Sequence, residues 1–223
     1  LCFGDTERAL ADIEACARDI VADGKLPFLI GGEHLVTLPA FRAVHEKYPD
    51  VAVIHFDAHT DLREEYLGNR LSHATVIRRI WELIGDGRIF QFGIRSGERA
   101  VEELLEKNSF SALFAANDVM AIGASFAGLD ETIAALKGRP IYLTIDLDVL
   151  DPSCFPGTGT PEAGGVRFTD LLSAALRTIR GCQIVGCDMV ELSPPLDPSG
   201  TSTATTLKLL REMLLALEKP YLK

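Results

Sequence analysis

Ile54-His55-Phe56-Asp57-Ala58-His59-Thr60-Asp61 is the stretch whose reading decides the fold. An apolar run ends in three potential metal ligands at alternate positions. In an extended backbone, residues i, i+2 and i+4 share one side. Asp57, His59 and Asp61 are therefore expected to converge on one point. His55 is expected to face away from Asp57, into the core. A second such element lies far downstream, Ile141-Tyr142-Leu143-Thr144-Ile145-Asp146-Leu147-Asp148. Buried carboxylates held this close repel one another and need a compensating cation. Each cluster alone suits one cation, and the two together carry charge enough for two.

Working outward, strand-like and helix-like segments alternate. Asp5 or Thr6 can cap a helix to about Ala22, stopped by Asp23-Gly24. Strands are expected at Pro27–Ile30, Val51–Phe56, Arg88–Ile94, Asp118–Ala124, Pro140–Asp146 and Gln183–Leu192. Helices are expected over Val36–Lys47, up to Leu83 after a polar loop from Thr60 to Ser72, and near Glu98–Lys107. Further helices fall over Leu129–Leu136, from a Thr169 cap to Gly181, and from Thr201 through Leu217. This alternation predicts a parallel sheet with helices on both faces. Ligands in such folds sit outside the carboxyl ends of the strands. His34 follows the first strand, Asp57, His59 and Asp61 the second, Asp146 and Asp148 a later one, and Glu191 closes the last. All fall at one edge of the predicted sheet, a sorting that solubility alone would not produce.

The chain has 223 residues, 47% of them hydrophobic, enough for one domain with a continuous core. No apolar run is long enough to span a membrane. The net charge of −10 argues against non-specific nucleic-acid binding and permits attraction of small cationic substrates, although solubility alone accounts for it at least as well. Five cysteines without C-x-x-C spacing fit a reduced, cytoplasmic protein. The chain begins at Leu1, and an N-terminal segment is expected to be missing.

Carboxylate and imidazole donors without cysteine disfavour structural zinc and suit manganese, with zinc, iron or cobalt as competitors. Two ions about 3.5–4 Å apart that share carboxylates are a hydrolase design. The loop Pro156-Gly157-Thr158-Gly159-Thr160-Pro161 lacks the G-K-[ST] ending of a phosphate loop and reads as the wall of a small-molecule pocket. His73 opens a helix and, taken alone, is a surface or capping residue. His45 reads as lying on a surface helix, and Trp81 and the phenylalanines as core.

Gly31-Gly32-Glu33-His34, the D-A-H-T-D run, and Asp146-Leu147-Asp148-Val149-Leu150-Asp151-Pro152 with P-G-T-G-T-P resemble the ureohydrolases, the family of arginase and agmatinase. The wider context, including F-G-I-R-S-G from Phe92, is most similar to bacterial agmatinases. The resemblance runs from Pro27 onward and implies a single three-layer α/β/α ureohydrolase domain over 1–223 with two Mn2+ ions. It implies that His34, Asp57, Asp61 and Asp146 hold one ion, and that Asp57, His59, Asp146 and Asp148 hold the other. Asp61 would also orient the attacking hydroxide, Glu191 would grip a substrate guanidinium, Thr160 would contact substrate, and His73 would shuttle protons. Family members usually have Asp where this chain has Glu33. The resemblance further implies a homo-oligomer, trimer or hexamer, and hydrolysis of agmatine to putrescine and urea in polyamine synthesis. The alternatives are arginase, guanidinobutyrase or formiminoglutamase activity, a related metal-dependent amide deacetylase, or an inactive metal-binding fragment.

Overall fold

A computed structural model describes residues 4–96, 113–114 and 126–218, with the backbone alone at 113–114. The elements in chain order are α1 Thr6–Ala22, β1 Phe28–Ile30, α2 Thr37–Lys47, β2 Ala52–Phe56, α3 Val76–Ile84 and β3 Ile89–Phe92. After these come β4 Leu113–Phe114, α4 Leu129–Ala135, β5 Pro140–Asp146, α5 Phe168–Gly181, β6 Gln183–Val190 and α6 Thr201–Leu217. The expected helix near Glu98–Lys107 and strand at Asp118–Ala124 lie outside the described residues. The short strand β4 was not anticipated from the sequence.

Local chemistry explains most boundaries. Asp5 caps α1 by accepting from the Arg8 N–H at 3.0 Å, and Gly24 leaves the helix at φ 74°. The expected Thr169 cap is corrected: α5 begins at Phe168, with Arg167 at the cap position and no side-chain cap. Thr169 already lies in the first turn, because Phe168 packs against the core and pulls the helix start back. Trp81 is only half-buried; its indole N–H donates to Asp86 and the Arg78 guanidinium lies 4.8 Å from its ring.

The sheet order is β1-β6-β5-β2-β3-β4, and every pairing is parallel. Strand alternation sends side chains to two faces. Ile54, Phe56, Leu143 and Ile145 pack with α5 and α6 on one face. Val53, Tyr142 and Val185 pack with α1, α2 and α3 on the other. Each fully buried side chain of this size is worth roughly 1.5–3 kcal/mol relative to exposure. The result is the expected three-layer α/β/α architecture. The chain runs outward from β2 to β4 and then returns to lay β5 on the other side of β2. This reversal opens a crevice at the carboxyl ends of β2 and β5. Phe56 pairs with Ile145, so the residues that follow them, Asp57 and Asp146, emerge side by side.

Candidate metal centre

Four neighbouring strands deliver the candidate ligands to one place. His34 follows β1, Asp57 to Asp61 follow β2, Asp146 ends β5 with Asp148 in the 3-10 turn Leu147–Val149 just after it, and Glu191 follows β6. His34 is fully buried, and its Nδ1 lies 3.0 Å from Asp61 Oδ2, 3.3 Å from Asp57 Oδ2 and 3.3 Å from Asp146 Oδ2. His59 Nδ1 lies 2.9 Å from Asp148 Oδ2 and 3.5 Å from Asp57 Oδ1. Asp57 therefore turns one oxygen to each imidazole. The six residues singled out by the sequence form two cages that share a wall.

The cages fit cations. His34 Nδ1 is buried and makes no well-formed hydrogen bond, although three carboxylates face it. Its other nitrogen, Nε2, lies 3.0 Å from Thr144 Oγ1, whose proton goes to Asp188 at 2.7 Å. Thr144 must then accept from His34, which places a hydrogen on Nε2 and turns Nδ1 toward the carboxylates. Burial opposes a charge on His34, yet Asp146, Asp57 and Asp61 hold its pKa well above the ordinary imidazole value. Burial opposes it in His59 too, but Asp148 and Asp57 push that pKa up to about 11. Burial and the neighbouring Asp148 and Asp57 raise Asp146 well above the usual carboxylate range. Asp57 goes the other way: despite burial, His55, His34 and His59 hold it well below. A site that draws protons onto its imidazoles and onto Asp146 and Asp148, while Asp57 stays ionised, is a site built for positive charge. Oxygen and imidazole donors in this number suit divalent ions.

A cavity opens over the cages, with a volume of about 320 Å³. Asp61, His59, Asp146, Glu191, His73, Thr160, Arg63 and Glu162 are among its lining residues. Thr160 donates to Asp148 Oδ2 at 3.1 Å. Glu191 Oε1 accepts the His34 main-chain N–H at 2.7 Å. Burial, with Glu33 and Asp148 nearby, raises the Glu191 pKa to about 7. His73 opens a short 3-10 turn capped by Ser72, and its ring meets Tyr66 edge-on at 5.2 Å. Glu33 caps the turn His34–Val36 by accepting from the Leu35 N–H at 3.1 Å, so it is not placed in either cage.

Asp61 and Glu191 stand at φ 53° and 66°, in the left-handed region that costs a residue with a side chain of order 1–3 kcal/mol. No residue pattern announced this strain. The structure also corrects the expectation for His55. It is buried but lies on the same side as Asp57, two residues away, with Nε2 2.8 Å from Asp57 Oδ2. The alternation rule applied to Asp57, His59 and Asp61 would have found it. Arg95 was also missed. Its guanidinium donates to the main-chain oxygens of Asp148 (2.8 Å), Val149 (3.2 Å) and Glu162 (2.7 Å), tying β3 to the loop that carries Asp148. Gly93, at φ 91°, makes this approach possible, because a Cβ there would lie 2.9 Å from the Asp57 oxygen and 2.5 Å from Val149. The F-G-I-R motif held this signal.

Fold and site together define a metal-dependent α/β/α hydrolase. Comparison with known proteins narrows the class. The family model described as "Arginase family" matches residues 1–216, and the chain belongs to that family. The agmatinase of Halalkalibacterium halodurans is 45% identical over 214 residues, which cover 96% of this chain and 71% of that one. The guanidinobutyrase of Pseudomonas aeruginosa is 36% identical, over 89% of this chain and 62% of its own. A crystal structure provisionally described as an agmatinase of Clostridium difficile superposes with a TM-score of 0.86 at 50% identity, covering 97% of this chain and 76% of that chain. The chain is a hydrolase acting on amidine C–N bonds.

Proposed function

We propose that this chain hydrolyses agmatine to putrescine and urea at a centre of two Mn2+ ions. The observation that carries the reading is Asp57, whose two oxygens face two different imidazoles beside a cavity that Glu191 lines. His34, Asp57, Asp61 and Asp146 would hold one ion, and Asp57, His59, Asp146 and Asp148 the other. When bound, the ions would supply a strong nucleophile near neutral pH by lowering the pKa of water.

The protein's own groups do the rest. Glu191, anchored by the His34 N–H, grips the planar guanidinium through charge-assisted hydrogen bonds and presents its carbon for attack. Asp61 accepts the nucleophile's hydrogen bond and orients it. Thr160 holds Asp148 in place and borders the substrate. The tetrahedral adduct collapses only when the departing amine is protonated, and His73, across the cavity, delivers that proton. Similarity to agmatinases at 43–45% identity and the net charge of −10 support a substrate with a distal ammonium.

Arg63 favours a second reading. It lines the same cavity and could meet a distal carboxylate, as a guanidino acid carries. Product release by Mn2+-loaded protein decides between them, read as urea from agmatine, arginine and guanidinobutyrate and as formamide from formiminoglutamate. Agmatine should give the highest kcat/KM; a preference for guanidinobutyrate would transfer the assignment to Arg63. We further propose a cytoplasmic homo-oligomer, trimer or hexamer. Among the described residues no helix is long and apolar enough to cross a membrane.

A further inference from the structure

We propose that His55 and Gln91 form a positioning pair that locks the Asp57 carboxylate in the orientation that serves both cages. The functional consequence rests on the two-ion reading above, whereas the hydrogen-bond assignment stands on geometry alone. Gln91 lies on β3 and is buried. Its Nε2 is 2.8 Å from the Thr60 main-chain oxygen and 2.8 Å from His55 Nδ1. A main-chain carbonyl can only accept, so the Gln91 atom facing it is the amide nitrogen. The second hydrogen of that nitrogen points at His55 Nδ1, which must present a lone pair. An imidazole with a lone pair on Nδ1 carries its hydrogen on Nε2. Nε2 lies 2.8 Å from Asp57 Oδ2, so His55 donates to Asp57 and has no lone pair there for an ion.

The other Asp57 oxygen is held as well: Oδ1 accepts the His59 main-chain N–H at 2.5 Å. One donor on each oxygen fixes the carboxylate plane and leaves each oxygen facing its own imidazole. A free carboxylate could instead rotate to give both oxygens to one ion. The pair Gln91–His55 therefore acts on how the second ion is held, without touching an ion or substrate. Partners of this kind typically alter metal affinity by 10–100-fold.

The test uses 15N-histidine-labelled full chain. Imidazole nitrogen shifts of the Zn2+-loaded protein report the His55 tautomer, and free Mn2+ counted by EPR reports affinity and stoichiometry. His55 should be an Nε2–H tautomer. H55F should weaken binding of at least one Mn2+ about tenfold or more. H55Q, which keeps an N–H donor toward Asp57, should recover most of that loss, a rescue that a packing role alone would not give. Q91L should keep the Nε2–H, which the Asp57 carboxylate also demands, but free the ring and weaken binding of at least one Mn2+ by less than H55F does. An Nδ1–H tautomer in the unsubstituted protein, or H55F with both ions bound as tightly as before, overturns the proposal. If H55F does not fold, Q91L decides, and Mn2+ bound as tightly as by the unsubstituted protein overturns it. Unsubstituted protein that binds no Mn2+ defeats the two-ion reading instead, and the tautomer then judges the pair separately.

Discussion

The cage around His34 and the cage around His59 share Asp57 but differ in their exposure to solvent. The His34 side chain is fully enclosed, whereas that of His59 is 25% exposed and borders the cavity. The enclosed cage sits deep between β1, β2 and β5, and its imidazole is held from behind by Thr144 and Asp188. The open cage depends on the loops after β2 and β5, which Arg95 and Thr160 tie in place. The difference teaches that, under the proposed reading, one metal position would belong to the folded core and the other to the substrate pocket. Enclosure slows exchange and fixes geometry; openness lets substrate, water and metal enter.

Removing the shared wall should break both halves at once. D57A is expected to lose both ions and about 10³-fold or more in kcat, measured by elemental analysis and urea release. Retention of two ions would deny that Asp57 is shared. D148A removes a wall of the open cage alone. It should leave one ion, in the enclosed cage, and binding isotherms should collapse from two phases to one. Loss of both ions would show that the two halves are not separable.

Substitutions facing the cavity sharpen the contrast without emptying either cage. E191Q should keep both ions and lower kcat/KM by about 10²–10³, because the guanidinium loses its charged partner. H73N should also keep both ions and lower kcat by about tenfold to 10² while KM changes little. A kinetically silent H73N returns His73 to a helix-start role capped by Ser72.

The smallest effect is the response to pH. In its proposed role the Glu191 carboxylate would bind a guanidinium only when ionised, and burial raises its pKa to about 7 in the protein alone. Activity should thus be present above that value and fall as pH drops through it. Bound cations stabilise the ionised form and move the limb to lower pH. In a pH–kcat/KM profile, E191Q should lose this acid limb while H73N keeps it; a limb that persists in E191Q belongs to another group.

Much of this was legible in one dimension. Alternating apolar runs fixed strands β2, β5 and β6 to within two residues, since periods of 2 and 3.6 are local properties of the backbone. D-A-H-T-D and D-L-D pointed to side chains that the fold brings together, because alternate residues in extended chain share a side. Other features were not local. Capping turned on which of Arg167, Phe168 and Thr169 the core drew in, and Trp81 took a rim position that its composition did not announce.

By itself, the sequence determined the layer architecture, the edge of the sheet that carries the chemistry, and the donor types that gather there. Only tertiary structure decided that β5 returns to lie against β2, which sets Asp146 beside Asp57 across some ninety residues of chain. Tertiary structure also chose the tautomers of His34 and His55, through Thr144 and Gln91 on neighbouring strands. It alone holds Asp61 and Glu191 in left-handed conformations. The physical reason is the same in each case. Strand pairing, buried hydrogen-bond partners and tolerated strain are set by groups distant in sequence, and their energies exist only once the core has closed around them.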